Sequence, residues 1–399
     1  MYFRTKILVL KRTVIIHSNK TQSIQRKHPW IFSGAIKFTA KGIAEGDVVT
    51  VEDENGQFLA KGLYNDGSIA VRILTFENVA LDNAFFRNRI SNAVELREQL
   101  NLFRPDNNIC RLVHGEGDEL PGLIIDYYAG VAVIQCHTYG MYKLIDKIAD
   151  ALQFALKGRL IAIYSKSSDT LPPQFETEDK YLTGEVPTPH LALENGITYA
   201  IDWIKGQKTG FFIDQRENRK LLGEFAKGKK VLNTFCYSGG FSLASLKNEA
   251  ILVHSLDSSR KAIDLTEENV KLNAFKGEHK SIVADAMQFI KELPEDYDIV
   301  VLDPPAFAKS RTKRHKAVQG YKRLNANTIK QLKPGSILFT FSCSQVVDKQ
   351  LFNNTVIAAA FEAGRNVRIL AQLHQPGDHP INAAHPEGEY LKGLVLRID

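Results

Sequence analysis

The chain has 399 residues, which is too long for one ordinary hydrophobic core, so two or three domains are expected. Hydrophobic residues make up 44% and charged residues 24%, as in globular proteins, which excludes a largely disordered chain. The 51 Lys and Arg residues exceed the 45 Asp and Glu residues and give a net charge of +6, which permits a nucleic-acid partner without requiring one.

The cysteines are widely spaced and form no CxxC pair, which argues against a disulfide framework or a zinc site and indicates a reducing compartment. No apolar run reaches the roughly 18 residues that span a bilayer. The N-terminus shows no signal peptide with a small-residue cleavage site. We therefore expect a soluble, cytoplasmic protein with no membrane partner and no bound metal.

Residues 1–78 are predicted to form an all-β domain, because short strands such as Val48–Val51 are separated by Asn-Gly and Asp-Gly turns. The stretches 26–35 and 46–49 resemble the PUA domain, an RNA-binding β-barrel. The resemblance implies that Arg26, Lys27, His28 and Trp30 form a cationic and stacking surface for RNA. The alternative is that the charges solvate an edge of the barrel and that Trp30 and Phe32 belong to its core, which is the preferred interpretation for these two aromatic residues.

Residues 79–190 are predicted to form a small α+β domain, which begins with a helix whose apolar residues recur at helical spacing. A glycine-rich loop follows at 114–122. His114, Glu116 and Asp118 in this loop are metal-ligand types, but no further cluster clearly joins them, so ordinary loop residues are the preferred interpretation. The proline-rich passage 171–189 is typical of a linker.

Residues 191–399 alternate between strand-like and helix-like segments, which predicts a doubly wound, parallel α/β sheet. The strand-like run 230–236 opens onto a turn with two glycines at 239 and 240, where a ligand can approach the backbone. The next two predicted strands end in Asp257 and Asp285. Carboxylates in these positions can accept from a ribose and from an adenine amino group, respectively, although each is also a common strand-end cap.

Two further predicted strands end in residues that could take part in catalysis. Asp303-Pro304-Pro305-Ala306-Phe307 follows an apolar run, and Ser342-Cys343-Ser344 follows another. Because ligands bind outside the carboxyl ends of the strands in such sheets, a carboxylate and a thiol could meet over one substrate. This pairing indicates chemistry on a nucleobase, with Asp303 holding the ring and Cys343 attacking it. A buried, inert cysteine is the alternative.

With these motifs and the segment 208–216, nearly the whole chain resembles the PUA-containing, S-adenosylmethionine-dependent methyltransferases of 23S ribosomal RNA, most of all the cytosine-5 enzymes. The resemblance implies S-adenosylmethionine as cofactor and 23S ribosomal RNA as partner. The cofactor-binding residues expected on this basis are Asp214, Gln215, Phe235, Tyr237, Ser238, Gly239, Gly240, Asp257 and Asp285. Phe211 and Phe212, in the same segment, fit a hydrophobic plug equally well.

Carbon 5 of cytosine is a poor nucleophile, and a thiolate that adds to C6 makes it reactive. Cys343 and Asp303 are therefore the expected catalytic residues. Many RNA cytosine-5 methyltransferases have a second cysteine after the proline of the first of these two strand ends. This chain has Ala306 there, so the sequence does not identify the group that accepts the C5 proton.

A run of basic residues after Phe307 suits a phosphate backbone, although a solvated loop is the ordinary alternative. The expected substrate-binding residues are Arg26, Lys27, Pro304, Pro305, Phe307, Lys309, Arg311 and Arg314. Competing functions are methylation of a base nitrogen and a catalytically silent ribosome-assembly factor. A nicotinamide dehydrogenase fits less well, because the GxGxxG motif is absent. A homodimer is compatible with the sequence.

Overall fold

The computed structural model of the protein describes residues 12–294, 296–308 and 310–399. The chain forms two compact units. The first contains residues up to Leu102 together with Cys110–Val186 and Asp378–Gly388, and the second contains Phe103–Ile109, Pro187–Gly377 and Glu389–Asp399. Within the described ranges, no helix has the length and apolar character that a membrane crossing requires.

The first unit begins with a six-stranded sheet in the order β2-β6-β5-β4-β1-β3. Its elements are β1 (Thr13–Ile16), α1 (Gln22–Gln25), β2 (Trp30–Phe32), β3 (Ile36–Thr39), β4 (Val48–Glu52), β5 (Phe58–Tyr64) and β6 (Ile69–Thr75). Alternate residues of the strands, such as Val49 and Val51, point into one apolar core. In β2 the core residue is Ile31, whereas Phe32 is 49% exposed, which excludes the core interpretation for Phe32.

A second sheet of the first unit has the order β11-β10-β9-β8-β7. The elements of this part are α2 (Asn83–Gln99), β7 (Ile109–His114), β8 (Leu123–Tyr128), β9 (Val131–Cys136), α3 (Tyr139–Tyr142), α4 (Ile145–Ala155), β10 (Ala162–Ser165) and β11 (Lys180–Thr183). Helix α2 begins where Asp82 accepts a hydrogen bond from the Phe85 N–H and buries the predicted apolar stripe, including Phe86 and Ile90. The division of the chain into domains at residues 78 and 190 stays a proposal.

The second unit contains a two-stranded ribbon and a seven-stranded sheet. Its elements are β12 (His190–Glu194), β13 (Ile197–Ile201), α5 (Arg216–Ala226), β14 (Lys230–Thr234), α6 (Gly240–Lys247), β15 (Leu252–Asp257), α7 (Arg260–Lys271), β16 (Glu278–Val283), α8 (Ala286–Phe289), β17 (Ile299–Leu302), α9 (Arg314–Gln331), β18 (Ile337–Ser342), α10 (Lys349–Glu362), β19 (Val367–His374) and β20 (Lys392–Ile398).

The seven strands have the order β16-β15-β14-β17-β18-β20-β19. The chain builds outward from β14 to β16, then returns to the other side of β14 and continues with β17 and β18. The order therefore reverses between β14 and β17, and such a switch point is where open α/β sheets bind ligands. Strand β17 is buried along its whole length, as expected for a central parallel strand covered on both faces. The predicted doubly wound α/β fold is confirmed.

The sheet differs from the prediction at one edge, because it is mixed and not purely parallel. Strand β20 runs antiparallel to both of its neighbours, β18 and β19. An antiparallel strand can follow β19 without a crossover helix, and the sequence between these strands contains none. This edge matters for the site, because it places Lys392 opposite Ser342, one residue before Cys343.

Candidate active site

The second unit contains a cavity of about 330 Å³ at the carboxyl ends of β14, β15, β17 and β18. The predicted site residues that line it are Asp214, Gln215, Phe235, Tyr237, Ser238, Gly240, Asp257, Asp303, Pro304, Pro305 and Cys343. Four strand ends that are far apart in the sequence thus contribute to one cavity. The parallel arrangement of the strands is the reason, since it brings their carboxyl ends to the same edge.

The turn after β14 has an unusual backbone. Phe235, Tyr237 and Gly239 all have positive φ angles, of 55°, 47° and 79°. A Cβ atom at Gly239 would lie 2.7 Å from Cγ2 of Thr266, so a side chain is excluded there by contact as well as by conformation. This tight turn presents its backbone to the cavity and leads directly into α6.

The carboxylate of Asp257, at the end of β15, is held by two backbone donors. Oδ2 accepts from the N–H of Tyr237 at 3.1 Å, and Oδ1 accepts from the N–H of Ser259 at 2.9 Å. The Ser259 side chain accepts from the N–H of Ala262 and caps α7. Each carboxylate oxygen keeps a further lone pair, so the group is oriented and can still accept from a ligand.

Asp214 has one satisfied and one unsatisfied oxygen. Oδ2 accepts a hydrogen bond of 2.8 Å from the hydroxyl of Tyr390, whereas Oδ1 is buried without a hydrogen-bond partner. A buried carboxylate oxygen without a donor is costly, and a cationic group in the cavity would satisfy it. S-adenosylmethionine has an ammonium and a sulfonium group, so the cavity fits the expected cofactor on this point.

Asp303, at the end of β17, is connected to a chain of amides. Its Oδ2 accepts from Nε2 of Gln215 at 3.1 Å, and Oε1 of Gln215 accepts from Nδ2 of Asn218 at 2.6 Å. Burial, reinforced by the negative charge of Asp214, raises the pKa of Asp303 to about 7. A carboxyl group with this pKa exchanges a proton readily at neutral pH, and can either donate to a base or accept from it.

Cys343 follows β18 and lines the same cavity. Burial, and after it the negative charges of Asp303 and Asp214, raise the pKa of the Cys343 thiol to about 11. The thiol is therefore protonated at neutral pH in this state. Activation requires a nearby positive charge or removal of a negative one.

Lys392 is a residue near Cys343 that the sequence analysis missed. It is only 4% exposed, and its Nζ donates to the carbonyl oxygen of Ser344 at 2.7 Å. Burial lowers the pKa of Lys392 to about 8, while the negative charge on Cys343 would raise it. No local pattern marks this lysine, because its position depends on the antiparallel register of β20.

The sequence analysis also missed Arg219 and Glu194, which form a buried, bidentate ion pair with distances of 2.7 and 2.6 Å. Arg219 lines the cavity and donates through Nη1 to the carbonyl oxygen of Phe212 at 2.9 Å. Its guanidinium also lies 4.8 Å from the ring centre of Phe211. The segment 211–216 is thus fixed by a charged side chain, and Phe212 forms part of the cavity wall.

Several predicted residues lie outside the cavity lining, and their roles stay predictions. Gly239 shapes the turn. Asp285 caps α8 by accepting from the N–H of Gln288 at 3.0 Å. The ring of Phe307 packs against Tyr321 with 4.6 Å between ring centres. Arg311, in the turn before α9, and Arg314, the first residue of α9, are exposed. Lys309 lies outside the described residues.

In the first unit, Arg26 and Lys27 are exposed, and the ammonium of Lys27 lies 4.5 Å from the ring centre of Phe76. The loop carboxylates considered as metal ligands have other partners. Asp118 accepts two hydrogen bonds from Arg97, and Glu116 accepts one of 2.7 Å from the indole of Trp30.

Two family profiles match the chain. The PUA-like domain matches residues 14–76, and the S-adenosylmethionine-dependent methyltransferase family matches residues 147–394. Together with the switch-point cavity, these matches define the class: an S-adenosylmethionine-dependent methyltransferase with a PUA-like domain. The predicted fold class and the predicted cofactor are confirmed.

Curated relatives cover almost the whole chain. Ribosomal RNA large subunit methyltransferase I of Shewanella denitrificans is 38% identical over 389 residues, which are 95% of this chain and 97% of that protein. The protein of the same name from Alteromonas mediterranea is 38% identical over 395 residues, 96% of this chain and 98% of its own length. The chain belongs to the family of ribosomal RNA large subunit methyltransferase I.

Solved structures agree on the fold. A Streptococcus mutans protein described as a SAM-dependent methyltransferase matches with a TM-score of 0.83 and 21% identity over 96% of this chain and 99% of its own. A methyltransferase solved in complex with SAH has the same TM-score, identity and coverage.

Proposed function

We propose that this protein transfers a methyl group from S-adenosylmethionine to carbon 5 of a cytosine in large-subunit ribosomal RNA, with Cys343 as the nucleophile. The choice of RNA rests on the names of relatives that match the chain from end to end. The observation that favours carbon chemistry is that Cys343 and Asp303 line one cavity with the cofactor-type carboxylates Asp257 and Asp214. We place the activity in the cytoplasm, where ribosomal RNA and reduced thiols occur together.

Three residues would hold the cofactor. Asp257, fixed by two backbone N–H groups, would accept from the ribose hydroxyls. Asp214 would accept from the ammonium group through its unsatisfied Oδ1. The backbone of the turn at Tyr237 would border the adenosine. When bound, the cofactor supplies an electrophilic methyl group.

Cys343 and Asp303 would act on the cytosine. Cys343 attacks as the thiolate, after its thiol proton has left to water. Its sulfur forms a bond to C6, the electron pair of the C5–C6 double bond moves into the ring, and N3 takes the proton of neutral Asp303. C5 then has enamine character and bonds to the methyl carbon, while the bond from that carbon to the sulfonium sulfur breaks. N3 returns its proton to Asp303 and the C5 proton leaves to a base. The electron pair of the C5–H bond re-forms the C5–C6 double bond, and the bond from C6 to sulfur breaks with its electron pair on Cys343.

Lys392 would favour the reactive form of Cys343. Its ammonium is anchored to the Ser344 carbonyl, next to the nucleophile, in a buried environment where charge interactions are strong. A cation beside a thiol lowers the pKa of the thiol. Cys236, the other cysteine of the cavity lining, lies 3.6 Å from the hydroxyl of Thr266, and burial raises its pKa to about 12. This environment disfavours Cys236 as a nucleophile.

RNA carrying 5-fluorocytosine tests the mechanism, because fluorine cannot leave as the C5 proton does. Incubation with the cofactor should trap a protein–RNA adduct that survives denaturing electrophoresis and is absent with Cys343→Ala. Cys343→Ala should still bind S-adenosylmethionine and should not form 5-methylcytosine. If Cys343→Ala methylates RNA at the rate of the unmodified protein, nitrogen methylation replaces this proposal. A protein that binds RNA and fails to methylate it would be an assembly factor.

A further inference from the structure

Three side chains of the first unit form a group of metal-ligand type, separate from the methyltransferase cavity. Nε2 of His28 lies 3.6 Å from Oε2 of Glu387, and Nε2 of His385 lies 3.9 Å from the same oxygen. One donor atom from each residue can be chosen so that all three lie within 4.8 Å of one another. In a tetrahedral zinc site with bonds of about 2.0–2.1 Å, donor atoms are roughly 3.3–3.4 Å apart, so the three side chains would have to move closer together around the ion.

His385 has no hydrogen-bond partner for either ring nitrogen, although it is only 4% exposed. An imidazole buried in this way loses its hydrogen bonds to water without replacement, which is costly. One of the two ring nitrogens of a neutral imidazole has a lone pair that can bind a cation. A bound metal ion would supply a partner for the ring nitrogen of His385 that has the lone pair.

The surroundings can orient both histidines. Nδ1 of His28 lies 3.3 Å from the carbonyl oxygen of Trp30 and 3.1 Å from its N–H. The Trp30 N–H donates to Nδ1, which is therefore the acceptor in this state. A cation bound at Nε2 would shift the ring proton to Nδ1, which then faces the Trp30 carbonyl oxygen, an arrangement common among metal-binding histidines. The indole of Trp30 covers His385 edge-on, with 4.3 Å between ring centres.

We propose that His28, His385 and Glu387 bind a divalent transition-metal ion of the zinc type. Two imidazoles and one carboxylate are ligands that zinc accepts, and three protein ligands leave a fourth position for water. Glu387 is half exposed, which provides a route of entry for the ion. Bound metal links the segment Asp378–Gly388 to the residues that precede β2, and therefore stabilises the folded first unit. This site was not expected from the sequence.

Zinc binding to the full-length protein tests the proposal. The protein is treated with EDTA, desalted, and titrated with Zn²⁺ against a chromophoric chelator, in a Cys343→Ser background that removes the partly exposed thiol. We expect one Zn²⁺ per chain. Glu387→Gln, which keeps the shape of an exposed side chain, and His385→Phe, which keeps an aromatic ring, should each weaken binding at least tenfold.

His17→Gln is the matched control. His17 also lies beside a carboxylate, 3.8 Å from Glu54, but among the residues that the structure describes no third ligand joins this exposed pair. Its replacement should leave Zn²⁺ affinity unchanged. Zn²⁺ should also raise the melting temperature of the parent protein and of His17→Gln, but not that of Glu387→Gln. Absence of binding, or equal affinity in the parent and in Glu387→Gln, would show that the histidines only pack against Trp30. The result with Glu387→Gln decides the question even if His385→Phe does not fold.

Discussion

Gln215 donates from Nε2 to Oδ2 of Asp303 over 3.1 Å, which links a residue of the turn before α5 to the end of β17. This hydrogen bond fixes the orientation of the carboxyl group and leaves its other oxygen available to the cavity. The bond favours the ionised form, but burial and the charge of Asp214 outweigh it, since the pKa of Asp303 is about 7. Because the pKa of Asp303 is raised in the folded state, the stability of the protein should depend on pH.

Asp303 should make the protein less stable as the pH rises from about 4 to about 7. In this range the folded state retains a proton on Asp303 that the unfolded state has released, so the free energy of unfolding falls with increasing pH. Asp303→Asn removes the titration and should flatten this part of the curve. Urea unfolding between pH 5 and 8 measures the difference, and parallel curves for the two proteins would contradict the raised pKa.

Asp257→Ala should weaken binding of S-adenosylmethionine by about 1.5–3 kcal/mol, the range for hydrogen bonds to a charged group. Titration calorimetry gives the affinity. Asp264→Ala is a suitable control, because Asp264 is exposed on α7 and pairs with Arg260 at 2.8 Å. Equal affinities for Asp257→Ala and Asp264→Ala would remove Asp257 from the cofactor site.

Lys392→Met should make the Cys343 thiol less acidic and therefore slower to react with iodoacetamide. A rise of one pKa unit lowers the thiolate fraction about tenfold at a pH below the pKa. The alkylation rate at Cys343, followed by peptide mass spectrometry between pH 7 and 10, reports this shift. Lys392→Arg keeps the charge and should restore most of the rate.

Lys349→Met provides the comparison for Lys392→Met, because Lys349 is an exposed lysine at the start of α10. Its replacement should leave the alkylation profile unchanged. If Lys392→Met reacts like the parent protein, Lys392 is structural and does not tune the acidity of the Cys343 thiol.

Glu194→Gln should destabilise the protein by about 3–5 kcal/mol, because it leaves the charge of Arg219 buried without its partner. The corresponding change at the surface, Glu249→Gln, breaks the exposed pair with Lys227 and should destabilise the protein far less, because solvent screens this pair. Urea unfolding of both variants makes the comparison. Similar losses would mean that the Arg219–Glu194 pair contributes little beyond a surface contact.

Charge reversal at Arg311 and Arg314 should weaken RNA binding and make it less dependent on salt, since each lost phosphate contact lowers the slope of log affinity against log salt by about one. Lys291→Glu with Lys330→Glu changes the net charge equally, using one exposed residue just after α8 and one in the last turn of α9. The slope for this control pair should stay near that of the parent. Equal slopes for all three proteins would identify the basic run as an ordinary solvated surface.

Much of the lining of the candidate site could be predicted from local sequence. A buried parallel strand is a continuous apolar run, and the residue that ends it lies at the ligand-binding edge of the sheet. For this reason Asp257, Asp303 and Cys343 could be assigned to one edge before their distances were known. The same rule was insufficient for Asp285, whose side chain caps α8 and does not line the cavity.

The partners of these residues were decided by the tertiary structure alone. Lys392 reaches the Ser344 carbonyl because β20 is antiparallel to β18, and Arg219 meets Glu194 because α5 packs near the ribbon strand β12. His28 and His385 are 357 positions apart in the chain and adjacent in the first unit. Periodicity and turn chemistry act over a few neighbouring residues, whereas these contacts depend on strand register and on chain reversals that no local pattern encodes.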